Sequence, residues 1–487
     1  MHKRYTLGFL LAAFALGACN VLDPKPEGLA TIDNFYADPR NAVAAINSAY
    51  AALVERGTAD AQSVYVEPVW QIGDVASDDT GGGDGTLDEV TFDAGNGHIA
   101  TYWSASYKGI YRCNTLLTRL PSVTFNAAST GLKERVLGEA YFLRALNYFN
   151  LVKAFGDVPL ITEEITDVQG TAVERAPAAQ VWAQVEADLA EAIGRLPKTY
   201  TGAGRGNEPG RATWGAAKSL LAKVYLYQGK FAEAAAQAGE VVNSGLYKLN
   251  GTYEANFKGN SESGASTETI FEAQHSTTNG AFTTTYFSPQ VGGVGDLNYP
   301  TDNLNQSGQN ANIAGGGLVQ AFEPDDQRRN LIKNYGLTAA SGRPYRWLLD
   351  KYWKPNPQNP FRNSDVNYPI LRYADVLLMF AEATNEAGGP TGPAYQAVNA
   401  VRNRAGLGNL PEGLSKEAFR ERVYQERRVE LYGEGQRWWN LVRTGRLIPV
   451  MSAHLGRPVE ERYKLLPIPQ ADRSRNPKLT QNPGYGG

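Results

Sequence analysis

The thiol of Cys19 stands directly after Leu16-Gly17-Ala18, behind an apolar run from Leu7 to Leu16 and the charged start His2-Lys3-Arg4. A charged start, a short apolar core and small residues at the cut compose a secretory signal. The core is too short for a permanent membrane-spanning helix. A cysteine in this position matches the bacterial lipobox, in which the sulfur forms a thioether to diacylglycerol and the chain is cut before it. On this expectation residues 1–18 are signal and residues 19–487 are the mature body. Each buried acyl methylene contributes about 0.8 kcal/mol of anchoring, so several chains hold a protein firmly.

Other chemistry is sparse. A glycoside hydrolase needs two carboxyl groups opposed across a cleft. The acid pairs here, Asp78-Asp79, Glu163-Glu164 and Asp325-Asp326, are neighbours in sequence, and adjacent residues rarely oppose one another. No Ser-His-Asp, Cys-His or His-Glu-x-x-His pattern occurs, so the chain reads as a non-enzyme. The four histidines, at positions 2, 98, 275 and 454, show no ligand spacing, and neither a metal nor a cofactor is expected. Asp78 to Glu89 is acidic and glycine-rich, but glycines fall where calcium ligands would alternate, which favours a solvated loop. Cys113 sits among apolar residues and reads as an inert core thiol.

The chain carries 47 basic and 50 acidic residues. No basic run of five or more occurs, which argues against a nucleic-acid partner. No segment after the signal is long and apolar enough to span a bilayer. The protein is therefore expected to be anchored to a membrane without crossing it.

The elements that would position a site are mainly helical. Residues 19–31 contain Asp23-Pro24-Lys25-Pro26-Glu27-Gly28 and read as an extended tether. From Asn41 to Glu55, Val43, Ile46, Ala49, Tyr50 and Leu53 form one apolar stripe. Leu132 to Phe155 repeats the pattern and stops at Gly156, and Val181 to Leu196 stops at Pro197. Between Thr213 and Gly245, Leu221, Ala222, Tyr225, Gly229, Phe231, Ala234, Ala238 and Val241 fall at the offsets of a tetratricopeptide helix pair. Alanines 222 and 234 allow close approach, and Gly229 makes the turn. Arg372 to Gly406 carries a looser version. One such pair cannot bury its own face, so several should stack into an α-α superhelix. Asp74 to Asn96 and Gly251 to Gly317 break the helical habit and read as loops with a few short strands. The expected organisation is a helical part over about 32–250, a loop-rich insertion over about 251–350 and a second helical part over about 351–487.

Several segments carry more than periodicity. They are Gly138-Glu139-Ala140-Tyr141-Phe142-Leu143-Arg144-Ala145, Phe155-Gly156-Asp157-Val158-Pro159-Leu160, Leu371-Arg372-Tyr373-Ala374-Asp375-Val376-Leu377-Leu378, Val398-Asn399-Ala400-Val401-Arg402-Asn403-Arg404-Ala405-Gly406, Glu426-Arg427-Arg428-Val429-Glu430-Leu431, Leu466-Pro467-Ile468-Pro469 and Gln481-Asn482-Pro483-Gly484-Tyr485. In this order they resemble the SusD/RagB family of outer-membrane lipoproteins along essentially the whole chain. The resemblance implies a tetratricopeptide-like body with a loop-rich ligand-binding part, lipid-anchored on the cell-surface side of the outer membrane. It also implies capture of a glycan, delivered to a SusC-like TonB-dependent transporter. A peptide-binding member of the family, or a helical protein-interaction scaffold, is the alternative.

The family motifs are structural in character. Arg144, Arg372, Asp375 and Arg402 are expected in buried or half-buried ion pairs that fix helix register. A glycan site requires exposed aromatic rings with amides and carboxylates at their edge. The candidates in or bordering the loop-rich stretches are Trp70, Asp78, Asp79, Tyr286, Phe287, Tyr299, Asp302, Asn303 and Asn305.

Overall fold

The computed structural model describes residues 35–36, 38–55, 63–65, 67–80, 84–126, 130–167, 172–200, 208, 210–257, 266–275, 291–292, 296–297, 317–333, 348–349, 351–352 and 366–486. Helix dominates. The longer helices are α1 (Pro39–Ala51), α2 (Gly97–Arg119), α3 (Thr130–Phe155), α4 (Ala178–Arg195), α5 (Trp214–Tyr227) and α6 (Phe231–Asn243). After a loop-rich stretch come α7 (Tyr373–Gly388), α8 (Gly392–Arg404), α9 (Lys416–Glu430), α10 (Arg437–Arg443) and α11 (Leu447–Leu455). Consecutive helices pack on one another from α2 to α6, α1 lies on α2 and α3, and α7 joins the halves by packing on α6, α8 and α9. This is the stacked, tetratricopeptide-like arrangement.

Local rules explain the boundaries. Asp38 caps α1 by accepting the Arg40 N–H at 2.8 Å, with Pro39 at the first helical position. Asn96 caps α2 by accepting from His98 and Ile99 at 3.0 and 3.1 Å. Gly156, at φ +70°, ends α3, and Gly229, at φ +72°, turns α5 into α6. Along α4, Val181, Val185, Leu189 and Ala192 form the buried stripe. By contrast α3 is apolar on nearly every side between Val136 and Phe155 and forms the centre of the core, with α2 and α4 against it. Ala222 and Ala234 are buried, while Tyr225 and Phe231 are half-buried against the core. A second apolar cluster, including Leu377, Leu378, Val398, Val401 and Phe419, joins α7, α8 and α9.

The arginines and acids of the motif segments tie these layers together. Arg144 of α3 holds Asp188 of α4 through two bonds of 2.8 and 2.7 Å. Asp375 of α7 takes Lys223 of α5 at 3.0 Å and Arg427 of α9 at 2.8 Å. Arg402 of α8 reaches Glu323 at 2.7 Å and Glu426 at 3.1 Å. Arg372 ends strand β2 (Tyr368–Arg372), which pairs antiparallel with β1 (Thr269–Ala273). It contacts Glu268, Glu430 and Glu434, each at 2.7 Å. At the chain's end, the Leu466 N–H donates to Ala154 O at 2.7 Å, and Asn482 Nδ2 donates to Phe155 O at 2.9 Å. The terminal motifs thus satisfy the last carbonyls of α3. Cys113 is buried in α2, and burial pushes its thiol up to about 12.

Candidate binding site

The sequence candidates divide sharply. Cys19, Tyr286, Phe287, Tyr299, Asp302, Asn303 and Asn305 lie outside the described residues. Trp70, Asp78 and Asp79 are described, and the structure uses them for the fold rather than as an open platform. Trp70 closes a single helical turn, Pro68–Trp70, that runs into a π-helical turn, Gln71–Val75. Its side chain is only 4% exposed, so it offers no ring face to solvent.

The π-turn seats itself against the corner after α9. A Cβ on Gly73 would come within 2.3 Å of Gly435 O, so glycine is required at this contact. Gly435 itself has φ +64° and donates its N–H to Asp74 Oδ2 at 2.7 Å. Burial pushes the Asp74 carboxyl up to about 8. The chain then places Asp78 and Asp79 beside two arginines. Arg437 donates to Asp78 through Nε at 2.7 Å and Nη2 at 2.9 Å, and Arg428 Nε donates to Asp79 Oδ1 at 2.7 Å. Burial opposes ionisation of Asp78, but Arg428 and Arg437 outweigh it and hold its carboxyl below the usual range. These acids are therefore committed to guanidinium partners. Their position in an acid- and glycine-rich stretch gave no sign of that, since the partners lie about 350 positions away.

An open concavity does exist, and it was not among the sequence candidates. A groove of about 490 Å³ runs along α2. Trp103, Tyr107 and Tyr111 follow at four-residue spacing on one face of that helix, which is the available sequence signal. Ile110, Pro159, Ile161, Ile165 and Leu479 supply apolar wall, and Glu163, Asp472 and Arg475 supply charge. Tyr111 is 52% exposed and is the one exposed large hydrophobic side chain among the described residues. The polar groups of the floor already have partners. Asn114 Nδ2 donates to the carbonyls of Ile161 and Glu163 at 2.8 and 3.1 Å, and its Oδ1 accepts from Arg144 at 2.9 Å. The Tyr107 hydroxyl donates to Pro159 O at 2.9 Å.

The described residues thus form a stacked helical body whose layers are tied by buried ion pairs. Residues 37–226 match the family model described as "Starch-binding associating with outer membrane", and residues 320–485 match the SusD family model. Together these cover more than half of the chain. SusD-like protein P2 of Formosa agariphila is 27% identical, over 99% of this chain and all of the relative. A SusD superfamily protein from Parabacteroides distasonis superposes with a TM-score of 0.75 at 26% identity, covering 92% of this chain and 99% of that one. A laminarin-binding SusD-like protein superposes with a TM-score of 0.71 at 28% identity, over the same shares. The chain belongs to the SusD family.

Proposed function

We propose that this protein is a cell-surface lipoprotein, anchored through Cys19 in the outer membrane, that captures a glycan and passes it to a SusC-like TonB-dependent transporter. The observation that carries the reading is the end-to-end likeness to a laminarin-binding SusD-like protein, at 92% and 99% coverage. The family description, with starch binding and outer-membrane association, agrees with it. The lipobox at Cys19 and the short apolar core before it support the anchor.

The ligand platform belongs to the loop-rich insertion in this proposal. Helical faces are committed to stacking, whereas loops change chemistry without disturbing the core. Tyr286, Phe287 and Tyr299 would stack on sugar faces, and Asp302, Asn303 and Asn305 would bond hydroxyls at the edge. Trp70, Asp78 and Asp79 leave the set because the fold consumes them.

The test is calorimetry of soluble protein against a panel of glucans, including laminarin and starch, with a peptide panel beside it. Binding to a glycan without release of shorter products supports capture. Truncating a stacking anchor commonly costs about 2 kcal/mol or more, about thirtyfold in affinity. At least one of Tyr286→Ala, Phe287→Ala and Tyr299→Ala should show that loss while keeping its circular dichroism. Binding of peptides alone would overturn the glycan reading. Copurification of a TonB-dependent transporter with tagged protein tests the partner, and Cys19→Ala should release the protein from membranes.

A further inference from the structure

We propose that the pocket between α9 and α10 is an oxyanion site, built to take an oxygen of a sulfate, phosphate or carboxylate group. Five guanidinium side chains line it. Arg427 and Arg428 come from α9, Arg437 and Arg443 from α10, and Arg446 from the turn before α11. Among the described residues Asp79 is the only acid in its wall. The other acids that hold these arginines lie outside the wall. Arg427 pairs with Asp375, Arg437 with Asp78, and Arg443 with Glu382 through both terminal nitrogens.

Those pairs leave donors over. An arginine carries five N–H groups, and a carboxylate on one side cannot take them all. Arg427 sets Nη2 2.8 Å from Asp375 Oδ1, while its Nε and Nη1 are buried without a hydrogen-bond partner among the described residues. Arg428 Nη2 is buried in the same condition: it lies 2.7 Å from Asp79 Oδ1 but is not aligned to bond it. Arg437 spends Nε and Nη2 on Asp78, which leaves Nη1. The acceptors of the wall are already used. Asp79 Oδ1 accepts from Arg428 Nε at 2.7 Å, and Asn440 Oδ1 accepts from Arg443 Nε at 2.9 Å. The Tyr424 hydroxyl adds another donor, since burial, with Glu382 near it, pushes its pKa up to about 12.

A pocket with donors in excess selects a group that only accepts. A sugar hydroxyl or a water brings donors of its own and leaves guanidinium N–H groups unmet. An oxyanion brings none, and its charge is favoured beside five guanidinium groups. Size sets how it sits. The enclosed part is about 20 Å³, room for one water-sized group, so one oxygen enters and the others stay at the mouth. Arg446 stands at that mouth. Its side chain is 40% exposed, lies 5.5 Å from the Tyr424 ring centre, and pairs with the exposed Glu421 at 3.1 Å. A surface pair of that kind opens at little cost.

The experiment uses the chain from residue 19 with Cys19→Ser, so that no lipid is attached. Melting temperature is followed against sodium sulfate, with sodium chloride holding ionic strength constant. The parent should show a rise that saturates, as binding to the folded state requires. Arg446→Gln should bind about tenfold more weakly, the loss of one charge-assisted hydrogen bond. Glu421→Gln should bind more tightly than the parent, because it frees Arg446. Arg195→Gln, on α4, makes the same change in net charge as Arg446→Gln and should match the parent. Sulfate should also slow modification of Arg446 by phenylglyoxal, read by peptide mass spectrometry, without slowing that of Arg195. A sulfated disaccharide and its unsulfated counterpart distinguish the source. Binding of the sulfated sugar alone, weakened by Arg446→Gln, assigns the anion to an acidic sugar, and binding of inorganic sulfate alone assigns a free ion; either supports the site. A rise that never saturates and is equal in Arg446→Gln, with no protection of Arg446, is the general exclusion of sulfate from protein surfaces and overturns the proposal. Arg446→Gln should leave the binding of a neutral glucan unchanged, so this proposal and the loop platform fail separately.

Discussion

The junction around Arg372 and the groove along α2 are built on opposite plans. At the junction, Arg328, Arg372 and Arg404 interlock with Glu268, Glu426, Glu430 and Glu434, all nearly without exposure. Lys351 adds its ammonium to Glu434 at 2.6 Å, over the rings of Phe257 and Tyr432. Every charge there has a partner of opposite sign, and the partners come from β2, α8, α9 and the loops between the helical halves. In the groove, apolar side chains face an open concavity, the Asn114 amide and the Tyr107 hydroxyl are already bonded, and charge comes only from Glu163, Asp472 and Arg475. The richest chemistry in the molecule is thus consumed by assembly, and its most available surface is chemically plain. Charge density alone is a poor pointer to a ligand site in this fold. What matters is whether the charges still need a partner.

The largest break in that contrast should come from Arg372→Leu. Removing one member of a buried ionic set leaves the others uncompensated and costs about 3–5 kcal/mol. Glu268, Glu430 and Glu434 would each lose a contact of 2.7 Å. Urea denaturation should show the loss in full, or no folded protein at all. A midpoint within experimental error of the parent would mean that the junction tolerates unpaired acids, and the distinction between the two regions would collapse.

A step smaller, Ala222→Trp tests whether the helical stack is as tightly filled as the junction. Ala222 is fully buried in α5 where α6 and α7 approach. Overpacking there should cost about 1–3 kcal/mol, read as a lowered melting temperature. An unchanged melting curve would place residue 222 at a yielding surface.

The sequence carried the helical scaffold and its ties far better than the places open to a ligand. Gly156, Gly229 and the stripe of α4 are local signals, readable from spacing and turn chemistry. The ion pairs of Arg144, Asp375 and Arg402 were expected, because charged residues within apolar helical runs must be paired to be buried. The pairing of Asp78 and Asp79 was not legible, because their partners, Arg428 and Arg437, are distant in sequence and only the fold brings them together. The groove was missed for a related reason. Its aromatic stripe is local to α2, but its walls come from Pro159, Ile161 and Leu479, which no periodicity joins to Tyr111.

Asp74 sharpens the comparison through pH. Among the described residues this buried acid near the junction has no guanidinium ion pair, and burial pushes it up to about 8. Its unfolded value is 3.8. Between those values the unfolded chain releases a proton that the folded chain retains. Stability from this group is therefore full at low pH and falls as pH rises from about 4 to about 8. Asp74→Asn should remove that component, so the variant gains on the parent by about 1.4 kcal/mol for each pH unit between pH 5 and pH 8. Glu430, held at about 2 after burial is outweighed by Arg404, Arg372 and Arg328, contributes with the opposite sign. Its share is present above 4.5 and is lost as pH falls from there toward 2. Denaturation series at several pH values separate the two windows. Parallel curves for parent and Asp74→Asn would mean that Asp74 ionises in the folded state and is as well matched as the acids around Arg372.

Tyr107→Phe is the gentlest change and asks whether the groove's polar atoms serve the fold or an occupant. The hydroxyl donates to Pro159 O at 2.9 Å across 52 positions, from α2 to the turn after α3. Phenylalanine keeps the ring and the shape of the wall but leaves that carbonyl without its donor. A lost hydrogen bond of this kind costs about 0.5–1.5 kcal/mol. The expected result is a small drop in stability by urea denaturation. The ring that packs against Trp103, at a centroid distance of 5.0 Å, is unchanged, so an occupant held by apolar contact should not notice. If stability stays put, the hydroxyl is not spent on the fold. The groove would then part further from the junction, where every charge is already spent on assembly.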